Sequence, residues 1–156
     1  MSNAIGFIVI CERVLQETNG LLSAIRIADH FTYQPVPGIP PEQTAIPMGV
    51  VAVVRMLEDD DEEHSARVVL IRPDGEEVVI GGPVNTKVQR PKPMAPGGFN
   101  ITIALGVTAK MFGLHQIVAY FDDVEFARAI FTLAQAADKT EEQKEPTSTK
   151  ALLAPN

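Results

Sequence analysis

Short apolar runs separated by turn-forming residues constrain the fold of this chain more than any other feature. The runs are bounded by Gly, Pro, Asn and Asp, which is typical of strands joined by tight turns. In the clearest run, 99–108, Phe, Ile, Leu or Val occupies every second position. This is the period of a strand with one buried face. The pattern predicts an all-β fold, an antiparallel β-sandwich of about eight strands.

Recognisable turns join the predicted strands. Residues 6–15 form the first strand, and Asn19-Gly20 after it suits a hairpin turn, because both residues tolerate positive φ. Residues 21–33 are predicted as one half-buried strand whose apolar side is interrupted by Asp29. The segment 72–75, Arg-Pro-Asp-Gly, is the strongest turn signal, since proline presets φ and glycine closes the turn.

Two proline-rich segments and the last element complete the sandwich. Residues 34–47 and 82–97 are predicted as loops, because proline has no N–H to donate to a sheet. The segment 48–57 between them is apolar on both faces, as in a central strand. Residues 124–133 fit either a helix capped at 122–125 or a strand paired with 115–121. We favour the strand because the neighbouring elements are strands.

The composition indicates one domain and a tail. A chain of 156 residues fits a single domain, which we place at 1–134. Residues 135–156 are rich in Ala, Gln, Glu, Lys, Thr and Ser and are predicted to be a disordered polar tail. The apolar segment 4–11 lacks the basic flank of a signal peptide. The single Cys11 suits a reducing compartment, so we expect a cytoplasmic protein.

The order of elements resembles a family of uncharacterised bacterial β-sandwich proteins, known only as a domain of unknown function. The residues that carry this resemblance are Cys11-Glu12, Gly20-Leu21-Leu22, Arg72-Pro73-Asp74-Gly75, Gly113-Leu114-His115-Gln116-Ile117, Phe121-Asp122-Asp123 and Phe131-Thr132-Leu133. The closing hairpin also resembles that of immunoglobulin-like domains. The resemblance implies an antiparallel sandwich with a strand at 124–133, and it transfers no catalytic residues.

The charge distribution disfavours two classes of partner. The net charge is −7, and the six consecutive acids at 58–63 nearly account for it. Nothing in the sequence forms the basic surface that a nucleic-acid backbone requires. An anionic membrane surface is disfavoured for the same reason.

Enzyme signatures are absent from the sequence. It contains no nucleophile elbow, phosphate-binding loop or dinucleotide fingerprint. Cys11 lies in an apolar run, where we expect a packed thiol with a raised pKa. His30, His64 and His115 lack the spacing of metal ligands and are predicted to be surface or edge residues. We therefore expect no catalysis and no cofactor.

The acidic run belongs to a predicted cluster of loops at one end of the sandwich. If every turn reverses the chain, the connections at 17–20, 58–63, 82–97 and 122–125 share that end, while 34–47, 72–75 and Gly113 share the other. Clustered loop carboxylates could bind Ca²⁺. The candidate ligands are Asp59, Asp60, Asp61, Asp122, Asp123 and Glu125. The bases Lys87, Arg90 and Lys92 reach the same end, so a salt-paired loop or a docking surface for a basic partner remain alternatives.

The strands predicted at 6–15 and 48–57 carry apolar residues on both faces, so something must cover the outer faces of their sheets. A sandwich buries one face of each sheet. Proline-rich loops, a symmetric second copy or an apolar ligand could cover the other. We expect a non-catalytic protein-interaction or assembly module whose partner is another protein or a second copy. The alternative is a ligand- or calcium-binding sandwich.

Overall fold

The computed structural model describes residues 4–18, 21–56, 62–87, 97–108 and 111–136. They form nine strands and a short 3-10 helix at Pro41–Gln43. The strands are β1 Ala4–Gln16, β2 Leu22–Ile27, β3 His30–Tyr33, β4 Ala45–Met56, β5 Glu63–Ile71, β6 Glu77–Lys87, β7 Gly98–Thr108, β8 Gly113–Phe121 and β9 Val124–Gln135. The tail predicted at 135–156 lies outside the described residues, apart from its first two positions.

Two sheets pack face to face. A four-stranded sheet has the order β2-β1-β4-β7, and a five-stranded sheet has the order β3-β9-β8-β5-β6. Neighbouring strands are antiparallel, except that β3 pairs with β9 in parallel. The predicted all-β sandwich is confirmed. The strand predicted at 124–133 is confirmed as β9.

The prediction of one strand over 21–33 is wrong, because the chain changes sheets in the middle of this segment. The Ala28 N–H donates to the Ile10 carbonyl of the four-stranded sheet at 3.1 Å. The next carbonyl, that of Asp29, accepts from the Thr132 N–H of the five-stranded sheet at 2.8 Å. Asp29 occupies the crossing point, which explains a polar residue in an otherwise apolar row.

This extra reversal also corrects the predicted position of the 17–20 turn. Cys11 of β1 lies opposite Gly49 of β4, whereas Ala4 lies opposite Met56. The end of β1 is therefore beside the start of β4, away from the acidic run. The connections that follow Asp29 lie alternately at the two ends of the sandwich, as predicted. For example, the Asp122 N–H donates to the Ser65 carbonyl at 2.8 Å, which places 122–125 next to the end of 58–63.

Both proline-rich loops are shorter than predicted. β4 includes Pro47, which lies opposite Gly106 of β7. The β1–β4 pairing stops at Gly49, so Pro47 has a neighbouring strand on one side only and its missing N–H is tolerated. β6 continues to Lys87, five residues beyond the predicted start of the second loop at Gly82. Residues 88–96 lie outside the described part of the chain.

The turn at 72–75 is confirmed. The Gly75 N–H donates to the Arg72 carbonyl at 2.9 Å, and Gly75 has φ +85°, a conformation that favours glycine. It connects β5 to β6. Together with Gly113, it forms the end of the sandwich opposite the acidic run.

The core lies between the inner faces of the two sheets. Its largest fully buried side chains include Phe121, Phe131 and Ile117. Phe31 of β3 meets Phe131 edge to face, with ring centroids 5.8 Å apart. Burying a side chain of this size contributes about 1.5–3 kcal/mol. Within the part of the chain that the structure describes, no helix is long and apolar enough to cross a membrane.

Candidate functional site

Three of the predicted calcium ligands lie in the β8–β9 turn or at the start of β9, and each has a partner within the protein. An Asp123 carboxylate oxygen lies 3.3 Å from an Arg67 nitrogen. A Glu125 oxygen lies 2.6 Å from an Arg128 nitrogen, and this hydrogen-bonded guanidinium holds the pKa of the Glu125 carboxyl below its usual range. The third ligand, Asp122, contacts a histidine.

The remaining candidates at this end are described only in part. Asp59, Asp60 and Asp61 lie outside the described residues, as do Arg90 and Lys92. Lys87 lies opposite Glu63 in the β5–β6 pairing, so one predicted base does reach the acidic end. Among the described residues, no group of three His, Cys, Asp or Glu side chains could hold a metal ion.

His64 is buried at this end, so its predicted exposure is wrong. Its ring stacks on Phe121, with centroids 4.7 Å apart. Its Nδ1 lies 2.7 Å from Oδ2 of Asp122. The other oxygen, Oδ1, accepts a hydrogen bond from the Ser65 backbone N–H at 2.9 Å. A single carboxylate thus ties the β8–β9 turn to the start of β5.

The sequence did contain a signal for this burial. Ala66, Val68 and Leu70 are the inward-facing residues of β5. His64 is also even-numbered. If the predicted strand begins two residues earlier, at Glu63, the His64 side chain faces the core with them. The run of acids before it suggested a loop instead.

A carboxylate that orients an imidazole is also found in general-base catalysis, where the imidazole must reach a nucleophile. The one cysteine of the chain, Cys11, belongs to the other sheet. Its Sγ lies 3.3 Å from the Arg13 carbonyl oxygen, and burial raises the pKa of its thiol. The fold therefore does not bring this thiol to the imidazole, and the contacts of His64 hold the turn in place.

His115 is a second buried histidine, at the opposite end, where we predicted an edge residue. Its ring stacks on Phe131 with centroids 4.8 Å apart, and its Nδ1 donates to the Gly113 carbonyl at 3.1 Å. Burial lowers the pKa of His115, so the ring is neutral at neutral pH. A cleft of about 420 Å³ beside it is lined by Arg72 and Glu76, which form an ion pair of 2.5 Å. His30 is exposed on β3, as predicted.

The outer face of the five-stranded sheet carries both buried and exposed apolar residues. Val69 and Val118 lie opposite each other on this face, yet they are only 1% and 0% exposed. Beside them, the guanidinium of Arg67 lies 4.4 Å from the centre of the Tyr120 ring. Arg128 lies opposite Val118 on β9. Long side chains thus neighbour the buried valines. Three other large apolar residues of this outer face are 54%, 52% and 49% exposed: Val79, Leu114 and Ile130.

The outer face of the four-stranded sheet also carries exposed apolar residues, and three of them form a strip. Ile5, Phe7 and Ile27 are 54%, 57% and 71% exposed. Ile5 and Phe7 alternate along β1 with the core-facing Ile8 and Ile10. Ile27 lies opposite Cys11, which continues their row. We refer to Ile5, Phe7 and Ile27 as the apolar strip.

A shallow cleft continues the apolar strip toward β9. It has a volume of about 370 Å³, and its lining includes Val9, Ile27 and Ile130. Asp29, at the crossing between the sheets, supplies a carboxylate at this cleft. The strip and cleft together form a surface that is mostly apolar and open to solvent.

Comparison with known proteins gives a family for the chain. No curated protein matches it. Among solved structures, it is similar to the Pseudomonas fluorescens alkylpurine DNA glycosylase AlkC bound to DNA containing an abasic site analog, with 8% identity and a TM-score of 0.45. That match covers 85% of this chain and 31% of the glycosylase. The model of a family of unknown function, DUF6941, matches residues 6–134. The expected membership of an uncharacterised family is thus confirmed, and the chain belongs to the DUF6941 family.

Proposed function

We propose that this chain is a non-catalytic protein-interaction module and that the apolar strip of Ile5, Phe7 and Ile27 is its contact surface. The exposure of the strip supports this proposal. All three of its side chains are more than half exposed, and Phe7 and Ile27 are more exposed than any large apolar side chain on the outer face of the five-stranded sheet. Contiguous exposed apolar surface of this kind marks interaction sites in folded proteins.

The chemistry of the apolar strip favours a partner that contributes apolar side chains. Phe7 at its centre is a large aromatic residue, a type that is enriched in protein interfaces. Fully burying a side chain of this size contributes about 1.5–3 kcal/mol. Phe7 is 57% exposed in the free chain, so burying the remainder contributes about 1–2 kcal/mol, which is about a 5- to 30-fold change in affinity. The neighbouring cleft beside Ile27 and Ile130 can receive one further side chain.

The proposal places this module in the bacterial cytoplasm. The free Cys11 thiol supports a reducing compartment, and the expected bacterial origin rests on the resemblance drawn from the sequence. The closing β8–β9 hairpin relates the sandwich to immunoglobulin-like domains, in which strand faces and end loops carry the binding surfaces.

The test is affinity capture from native cells with matched surface variants. The double variant Phe7→Ser, Ile27→Thr removes most of the apolar strip. Val79→Ser removes a comparably exposed side chain from the other sheet and serves as the control. We expect quantitative mass spectrometry to find a protein that the wild type and the control retain and the double variant loses. Equal capture by all three proteins would refute the assignment of the contact surface.

A further inference from the structure

The edge strand β7 lacks the features that normally protect a sheet edge. β7 is the last strand of the four-stranded sheet, and its 11 residues include no proline and no charged side chain. Natural edge strands are usually short, charged, bulged or interrupted by proline, because a free edge can pair with another chain. In this protein, β2 carries Arg26 and is short, and β6 carries Pro83 and Lys87.

The hydrogen bonds of β4 identify which β7 groups are free. The Met56 N–H donates to the Gly97 carbonyl at 2.8 Å. Antiparallel pairs alternate in bonding, so the odd-numbered residues of β7 bond to β4 and the even-numbered residues direct their N–H and C=O groups to the free edge. These even-numbered residues are Gly98, Asn100, Thr102, Ala104, Gly106 and Thr108, and all six are exposed. At the end of the strand, the Thr108 carbonyl accepts from the Met111 N–H at 3.4 Å and is not free. Within the described residues, no strand pairs with this edge.

We propose that the free edge of β7 pairs with β7 of a second copy of this chain, antiparallel and about a two-fold axis, so that the two four-stranded sheets join into one. This interface is separate from the apolar strip on β1 and β2. Eleven residues give a contact about 37 Å long. The free N–H and C=O groups of the five even-numbered residues from Gly98 to Gly106, together with the Thr108 N–H, would face those of the other strand.

Charge and side-chain size favour a second copy as the occupant. Two-fold pairing brings residues near the centre of the strand close to their own copies, so any charge there would meet the same charge. The chain has a net charge of −7, yet β7 is neutral throughout. On the core side, Phe99 and Leu105 are only partly buried. Pairing would place them beside the matching apolar row of the second copy, which extends the core across the joint.

The first test is sedimentation velocity over a range of protein concentrations. We expect a species of twice the 16.9 kDa mass of one chain. Thr102→Lys adds a like charge near the centre of the joint and should abolish this dimer, whereas Thr32→Lys, on the edge strand β3, should retain it. A monomer at all concentrations, or a dimer that survives Thr102→Lys, would overturn the proposal.

Amide hydrogen exchange on the unmodified protein gives a second test that does not depend on a folded variant. The six even-numbered amides of β7 should exchange slowly at high concentration and rapidly at low concentration. Protection that does not change with concentration would overturn the second copy as the occupant. The Phe7→Ser variant should still dimerise, so failure of the capture experiment and failure of this proposal remain distinguishable.

Discussion

Two adjacent aspartates in the β8–β9 turn provide a matched test of how burial sets the strength of a carboxylate contact. Asp122 and Asp123 have φ +47° and +61°, and each contacts a basic side chain. Asp122 contacts the buried His64 at 2.7 Å, whereas Asp123 is 88% exposed and contacts Arg67 at 3.3 Å. Asn tolerates this left-handed backbone as well as Asp does. Replacing either aspartate by Asn therefore changes its contact with the basic side chain and leaves the geometry of the turn unchanged.

The two substitutions should differ severalfold in their effect on stability. Asp122→Asn keeps one oxygen to accept the Ser65 N–H but loses the charged acceptor for His64. Hydrogen bonds to charged groups contribute about 1.5–3 kcal/mol. Asp123→Asn removes an exposed ion pair, and such pairs contribute below about 1 kcal/mol.

Urea unfolding at pH 7 measures both losses. With an m value of about 2 kcal/mol per molar, Asp122→Asn should lower the midpoint by about 1 M, and Asp123→Asn by less than half as much. The m value should stay the same in both variants, since the folded and unfolded surfaces do not change. Equal losses, or a larger loss for Asp123→Asn, would refute the reasoning that the buried imidazole gives this contact its strength.

Three further predictions follow from buried and constrained positions. Because burial lowers the pKa of His115 below its ordinary 6.5, only the unfolded chain gains this proton as the pH falls below that value. The free energy of unfolding of the wild type should therefore decline below pH 6.5 by at most about 1.4 kcal/mol per pH unit. In urea titrations from pH 7 to 5, the His115→Phe variant should lack this contribution to the pH dependence. Gly6→Ala places a methyl group 2.2 Å from a backbone oxygen and should lower the melting temperature more than Gly75→Ala. The latter adds only left-handed strain of about 1–2 kcal/mol, since nothing lies within 4 Å of its Cβ. Phe131→Ala in the core should cost about 3–5 kcal/mol in chemical unfolding, whereas Phe7→Ala should change stability by less than about 0.5 kcal/mol.

Strand periodicity predicted most of the sandwich because each strand has one face in the core. The alternation at 99–107 matches the inward row of β7. The favoured strand at 124–133 was correct because the preceding strand, β8, pairs with it as a hairpin. The break at Asp29 was missed because periodicity continues across it. Only the bonding of Ala28 and Asp29 to different sheets shows that the chain has turned.

The candidate site was less predictable, because it depends on contacts between residues far apart in sequence. The acids at 122–125 were correctly placed near the end of 58–63, but their partners His64, Arg67 and Arg128 were not identified. Apolar residues on both faces of the strands were visible in the sequence. It did not show that Val69 and Val118 on one outer face are buried, while the apolar strip on the other sheet stays exposed.

Photo-crosslinking in native cells tests the central claim, that the apolar strip is a protein contact surface, most directly. The photoreactive amino acid p-benzoyl-phenylalanine at position 7 resembles the native phenylalanine. The same group at position 79, on the outer face of the other sheet, is the control. We predict a discrete protein adduct from position 7 and none from position 79. An absence of adducts at position 7, or the same adducts from both positions, would contradict the account.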